Sequence, residues 1–281
     1  MFSLGSGDIR SAAMTIDRRS LLALLAASAV PAMAFAAQRK SLADPMHLGA
    51  EQALIDSGLA SQLQKAFGRD TGVAVQLMPG RSGSLLEALE RGELDAAMTN
   101  APEQETQLEK QGLAHDRRLI AVGDFVLVGP LEGAGKKAKD PAGIAGERDI
   151  AAALAKLAQA QVRFVGPVNG SGAHLGTLAL WRAAKVAPAA PWYVESKGNA
   201  LEQAASEGAY TLIERGLWMS RGRKPLALMV EGDPRMATEV HVMRSFRVNH
   251  PAAKLFGQWV SGPQGRRVAA GLRGWRPAPP A

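Results

Sequence analysis

The stretch Val73-Ala74-Val75-Gln76-Leu77-Met78-Pro79-Gly80-Arg81-Ser82-Gly83-Ser84-Leu85-Leu86 decides the fold. Branched and apolar residues over 73–78 form a strand, the Gly/Ser turn that follows cannot continue it, and leucines over 85–90 resume with helical spacing. The same unit recurs on either side. Before it, an apolar strand over 46–50 leads to a helix over 57–67, where Ser57 is the expected N-cap and Leu59, Leu63 and Phe67 share one face. After it, residues 94–99 form a strand, Asn100-Ala101-Pro102 a turn, and a polar helix runs to Lys110. This βαβαβα order predicts a parallel sheet with helices on both faces.

Two further strand pieces, 119–122 and 125–128, precede a break at Gly129-Pro130, and the Gly/Lys-rich stretch 131–148 reads as loop. A second α/β series follows: helix 149–161, strand 162–165, loop 166–171, helix 173–186, strand 192–195 and helix 199–208. A strand pair, 226–230 with 239–243, and one amphipathic helix over 251–272 close the chain. The economical architecture is two α/β lobes of similar size, joined near Gly129 and again near Val230. Lobe 1 comprises 37–128 and 230–281, and lobe 2 comprises 129–229.

In such folds the carboxyl ends of the strands face the interlobe crevice, and helix N-termini there present unpaired N–H groups that suit an anion. Three loops fit: Arg81-Ser82-Gly83-Ser84, Asn100-Ala101-Pro102 and Asn169-Gly170-Ser171-Gly172. The candidate ligand-binding residues are therefore Arg81, Ser82, Gly83, Ser84, Asn100, Asn169, Gly170 and Ser171.

Composition narrows the chemistry. The absence of cysteine removes disulfides, thiolate metal sites and thiol nucleophiles. A net charge of +7 with only 5% aromatic residues and no dense basic block argues against nucleic acid and for acidic small ligands or a membrane surface. Gly129 to Lys136 imitates a phosphate-binding loop, but the glycine spacing is too long and Lys137 stands where Ser or Thr belongs. Ser171 and His174 lie one helical turn apart without a nucleophile-elbow motif, so His174 is expected to be a lobe-stabilising hydrogen-bonder. The five histidines show no metal-ligand spacing, Glu231 and Asp233 read as turn residues, and Trp181 and Trp192 as core. No cofactor or metal is expected, and no enzymatic activity.

The N-terminus carries an address. Arg18-Arg19, an apolar run over 21–37 and Ala34-Phe35-Ala36 form an export signal of twin-arginine type, expected to be cleaved after Ala36. An uncleaved anchor is the alternative. Met14 stands where such signals begin, so the first 13 residues are expected to be an over-extended start.

Several stretches together resemble the tungstate-binding proteins of bacterial ABC importers, a branch of the class II periplasmic solute-binding fold. They are Asp56-Ser57-Gly58-Leu59, Asn100-Ala101-Pro102-Glu103, Asp124-Phe125-Val126-Leu127-Val128-Gly129-Pro130, Ser171-Gly172-Ala173-His174 and Trp192-Tyr193-Val194-Glu195. Gly208-Ala209-Tyr210-Thr211-Leu212, Arg215-Gly216, Val230-Glu231-Gly232-Asp233-Pro234-Arg235 and His250-Pro251 extend the likeness over nearly all of the exported part. The resemblance implies a periplasmic, monomeric receptor that clamps a small oxyanion such as tungstate or molybdate by lobe closure and delivers it to an ABC permease in the inner membrane.

The departures fall on the implied donors. The family's Thr-Thr-Thr-Ser loop aligns with Ala50-Glu51-Gln52-Ala53, its Ser-Arg segment with Gly166-Pro167, and a further Thr with Ala173. Hydrogen bonds to a charged partner contribute about 1.5–3 kcal/mol each, so the oxyanion site is expected to be degenerate. Arg81, Ser82, Ser84 and the amides around Gly170 are the candidate replacements, and Glu51 could instead select a ligand with a donor or positive group. The alternative is a solute-binding-fold module with an altered ligand or a signalling or assembly role in the envelope.

Overall fold

The computed structural model describes residues 40–133, 135, 138–221 and 226–280, all within the unit Ala37–Ala281. The expected export signal, its cleavage site and the Met14 start lie outside the described residues. Lobe 1 is built on the parallel strands β1 (Met46–Glu51), β2 (Val75–Gly80) and β3 (Ala96–Thr99), with β1 in the middle. β9 (Ala237–Ser245) pairs antiparallel with β3, and β4 (Ala114–Gly129) antiparallel with β9. The sheet is thus mixed. Its order is β10-β4-β9-β3-β1-β2, where β10 is Arg276–Pro277.

Period-two alternation sends the two faces of this sheet into different cores. Met46, Leu48, Ala96 and Met98 pack under α1 (Gln52–Asp56), α2 (Leu59–Thr71), α9 (Pro251–Ser261) and α10 (Pro263–Ala270). Ala97 packs with Leu85, Leu86 and Leu89 of α3 (Ser82–Arg91), and α4 (Pro102–Lys110) follows β3. Phe67 meets Phe256 edge-on at 5.1 Å, fastening α2 to α9. Burying a side chain of that size contributes about 1.5–3 kcal/mol.

β4 links the lobes. Its residues up to Asp124 pair with β9, and from Phe125 onward it pairs with β7 (Thr211–Glu214) and β8 (Ala227–Val230). Beyond the switch both its faces are buried. Phe125 and Leu127 enter a core with α5 (Ile150–Gln159), β5 (Phe164–Gly166), α6 (Gly172–Ala183) and β6 (Tyr193–Glu195), which includes Trp181, with Trp192 packed against it. Val126 and Val128 enter a core with α7 (Ala200–Glu207) and Trp218 of α8 (Arg215–Ser220).

Five local expectations are corrected. The two strand pieces 119–122 and 125–128 are one 16-residue strand. Gly123 does not end it, because the glycine makes room for the Trp275 ring. The strands 226–230 and 239–243 do not pair with each other; each pairs with β4, one on either side of the switch. Strand β7, with Glu214 at its end, was not anticipated. Ser57 does not cap α2. It follows the short helix α1, donates to the Leu54 carbonyl and accepts from Trp275 Nε1, while Gly58, at φ +88°, precedes α2. The closing helix breaks at Gly262-Pro263, since a proline has no N–H to continue α9 and its fixed φ suits the first turn of α10.

Candidate functional site

Two helix N-termini from opposite lobes converge on one side chain. Glu51 is the last residue of β1, 2% exposed, and its carboxylate points into the crevice at the strand's carboxyl end. One oxygen, Oε2, accepts from the Ser82 N–H at 2.5 Å and from the Gly172 N–H at 3.2 Å. Those are the first amides of α3 and α6, the orphan donors that carry the positive end of each helix dipole. The surroundings are a fixed polar cage. Ser82 Oγ donates to Asn100 Oδ1 at 3.2 Å and accepts from the Asn100 N–H at 3.3 Å, while Asn100 Nδ2 donates to Glu214 Oε1 at 3.2 Å. Gly172 is required here, because a Cβ would overlap the Asn100 amide.

A latch beside the cage joins the lobes directly. The Gly83 N–H donates to the Gly170 carbonyl at 3.0 Å, and Arg81 Nη1 donates to the Asn169 carbonyl at 3.0 Å. Gly170 takes φ +79° in a turn closed by the Ser171 N–H on the Val168 carbonyl, a geometry that favours glycine. Behind the latch lies a cavity of about 470 Å³. Its polar residues include Glu51, Arg81, Ser171, Glu214 and Arg221, and Leu201, Leu212, Ile213 and Leu217 give it an apolar wall.

Burial pushes the Glu51 carboxyl up, against the pull of the Ser82 and Gly172 amides and of Arg81. Glu214, also 2% exposed, is pushed up to about 7, first by burial and second by the charge of Glu51. The cage therefore concentrates two carboxylates where the helix termini favour negative charge.

The structure brings seven of the eight candidate residues to this crevice and gives them unequal parts. Ser82 supplies an amide and orders Asn100; Arg81, Gly83, Asn169 and Gly170 form the latch. Ser171 lines the cavity, and its hydroxyl caps α6 by accepting from the His174 N–H at 3.1 Å. Ser84 is exposed and does not line the cavity. The loop Asn100-Ala101-Pro102 lends Asn100 to the cage but its helix start is closed off: Glu105 accepts from the Ala101 N–H at 2.9 Å and from Thr99 Oγ1 at 2.7 Å, filling the start of α4 with its own carboxylate. Glu51, Gly172 and Glu214 complete the cage; the sequence points to Glu51 as a selector of the ligand and to Gly172 as part of a candidate loop without placing either among the eight candidates, and Glu214 was missed. Glu51 ends an apolar strand at the crevice, a legible signal, whereas Glu214 sits on a strand that the sequence pattern did not reveal.

The positions that depart from the resembled pattern face the same space. Ala53 and Ala173 line the cavity without a hydroxyl, and Pro167 lines it without the guanidinium of the resembled pattern. His174 is not the expected hydrogen-bonder, since its buried Nδ1 has no partner among the described residues, and Ser171 meets only the backbone of that residue. Asp233 accepts from the Ile150 and Arg235 N–H groups while Glu231 pairs with Arg215, so the two carboxylates do not converge. Among the described residues no cluster of three or more His, Cys, Asp or Glu side chains is placed to hold a metal ion.

A strand shared by two α/β lobes with a ligand-sized cleft between them is the architecture of a solute-binding fold, and the chain belongs to the PBP superfamily, whose domain matches residues 50–261. It is similar to the tungstate-binding protein TupA of Peptoclostridium acidaminophilum, 29% identical over 73% of each chain. A Haloferax volcanii protein assigned to anion binding in an ABC transporter is 29% identical over 76% of this chain; the match spans 64% of that protein's length. Among solved structures, the tungstate ABC transporter protein of Geobacter sulfurreducens is 28% identical, with a TM-score of 0.71, covering 82% of this chain and 99% of that one. The tungstate-binding protein TupA of Desulfovibrio alaskensis G20 is 26% identical, with a TM-score of 0.67, over 84% and 99%.

Proposed function

We propose that this chain is the solute-binding component of an ABC-type importer, taking a small oxyanion of the tungstate or molybdate kind between its lobes. One observation carries the reading: the first amides of α3 and α6, one from each lobe, meet on a single carboxylate oxygen. Donors so arranged favour the closed form when an anion bridges them. The tungstate-binding relatives supply the ligand class. The reading is of a binding protein rather than an enzyme, in keeping with relatives that are binding proteins.

Export to the periplasm rests on the signal read over 14–37 and on the ABC-transporter relatives. Among the described residues no helix is long and apolar enough to cross a membrane. The partner on this reading is an inner-membrane permease, approached by a monomeric receptor.

A thermal-shift panel of tungstate, molybdate, sulfate and phosphate on the wild-type chain and on Glu51→Ala tests the reading, because a ligand that binds only the folded state raises its stability. A concentration-dependent rise in melting temperature with at least one oxyanion is expected. A flat panel for both proteins, with the fold intact, would sink the oxyanion and favour the altered-ligand or assembly module.

A further inference from the structure

The anion seat already holds an anion. The carboxylate of Glu51 saturates the two converging amides from within the chain, and it spans the cleft by reaching Gly172 of lobe 2 from β1 of lobe 1. Those amides are its hydrogen-bond partners, and Arg81 acts on its charge from farther off. A group tethered this way stays at millimolar effective concentration or above, whatever the solute level outside.

We infer that Glu51 is a tethered occupant of the seat, so that an external oxyanion binds only by displacing its carboxylate, and that Glu51 thereby sets both affinity and charge selectivity. This rests on the reading of the cleft as an oxyanion site. Two consequences follow from the geometry. The cleft closes without solute, because Glu51 bridges the lobes as a solute would. And an incoming anion meets repulsion from Glu51 and from Glu214 across the cavity, which grows with the charge it carries. Arg81 and Arg221 are the cations lining the same space, and Asp56 adds a third carboxylate.

The test is calorimetric titration of the full chain, Glu51→Ala and Glu51→Gln with sodium tungstate and sodium perrhenate, tetrahedral anions of charge two and one. Small-angle scattering of the unliganded proteins runs alongside. Removing the occupant in Glu51→Ala is expected to tighten tungstate at least tenfold and perrhenate by less, and to expand the unliganded protein. Glu51→Gln, which keeps an accepting oxygen but no charge, lies between and guards against an alanine variant that fails to fold. Equal tungstate affinity in all three proteins would overturn the inference and leave the oxyanion reading standing. Absence of binding in all three would remove that reading instead. The scattering curves would then decide on Glu51 alone: expansion of Glu51→Ala supports the bridge, and identical curves overturn it.

Discussion

Gly172 shows how much of the site depends on a missing atom. Its N–H is half of the anion seat, and the Asn100 amide occupies the space a β-carbon would need. Gly172→Ala is expected to push Asn100 off Ser82 and Glu214 and to cost about 1–3 kcal/mol, as overpacking of a filled site does; urea unfolding measures it. Ser171→Ala acts differently. It deletes the cap on α6 and should lose about 1 kcal/mol, yet it leaves the Gly172 amide in place, so an anion-induced thermal shift should shrink rather than vanish. A shift equal to that of the wild type would take this hydroxyl out of the site. The loops 81–84 and 169–172 were legible as candidates because glycine and serine after a strand are where helix amides are presented. That one of those amides would be answered by the chain's own carboxylate depends on the distance between β1 and α6, and local pattern carries no such distance.

Among the elements, β4 has the largest share in the architecture. One strand lies in both lobes, with Asp124 at the switch held by Arg215 through Nε at 2.8 Å and Nη2 at 2.7 Å, and Arg215 reaching Glu231 as well. Gly123→Ala would press a methyl group onto the Trp275 ring. A loss of about 1–3 kcal/mol is expected, appearing as one cooperative transition shifted for the whole chain, since both cores share the strand. Two separate transitions in calorimetry would contradict that coupling. The helices and the parallel strands of lobe 1 were readable because their apolar residues keep one period for a full element. β7 was not: its four residues include Thr211 and Glu214, all buried between neighbours that only the assembled sheet supplies.

Taken whole, the molecule carries a proton-linked strain at its centre. In the unfolded chain Glu214 titrates near the ordinary value of 4.5, whereas in the folded protein burial and Glu51 raise it to about 7. Between those values the folded state holds a proton that the unfolded state has released, so stability falls as pH rises through this window and levels off above it. The interval corresponds to about 3 kcal/mol, and the upward shift of Glu51 acts in the same direction. Melting temperatures between pH 5 and 8 should therefore decline toward the alkaline end. Glu214→Gln should flatten that decline and gain most at pH 8; a melting temperature that climbs across the range in the wild type would refute the account.

By itself the sequence determined the α/β class, the order of most elements, the loops that present helix termini, the loss of hydroxyls at 53 and 173 and the loss of an arginine at 167. Each of these is written in local period, turn chemistry or residue type, which act over a few positions. Tertiary structure alone decided that β4 runs unbroken through both lobes and that Glu51 and Glu214 face each other across the cleft. The facing carboxylates rest on groups more than a hundred positions apart, as the Gly172 N–H on Glu51 and the Asn100 amide on Glu214 show, and only the packed sheet brings them together.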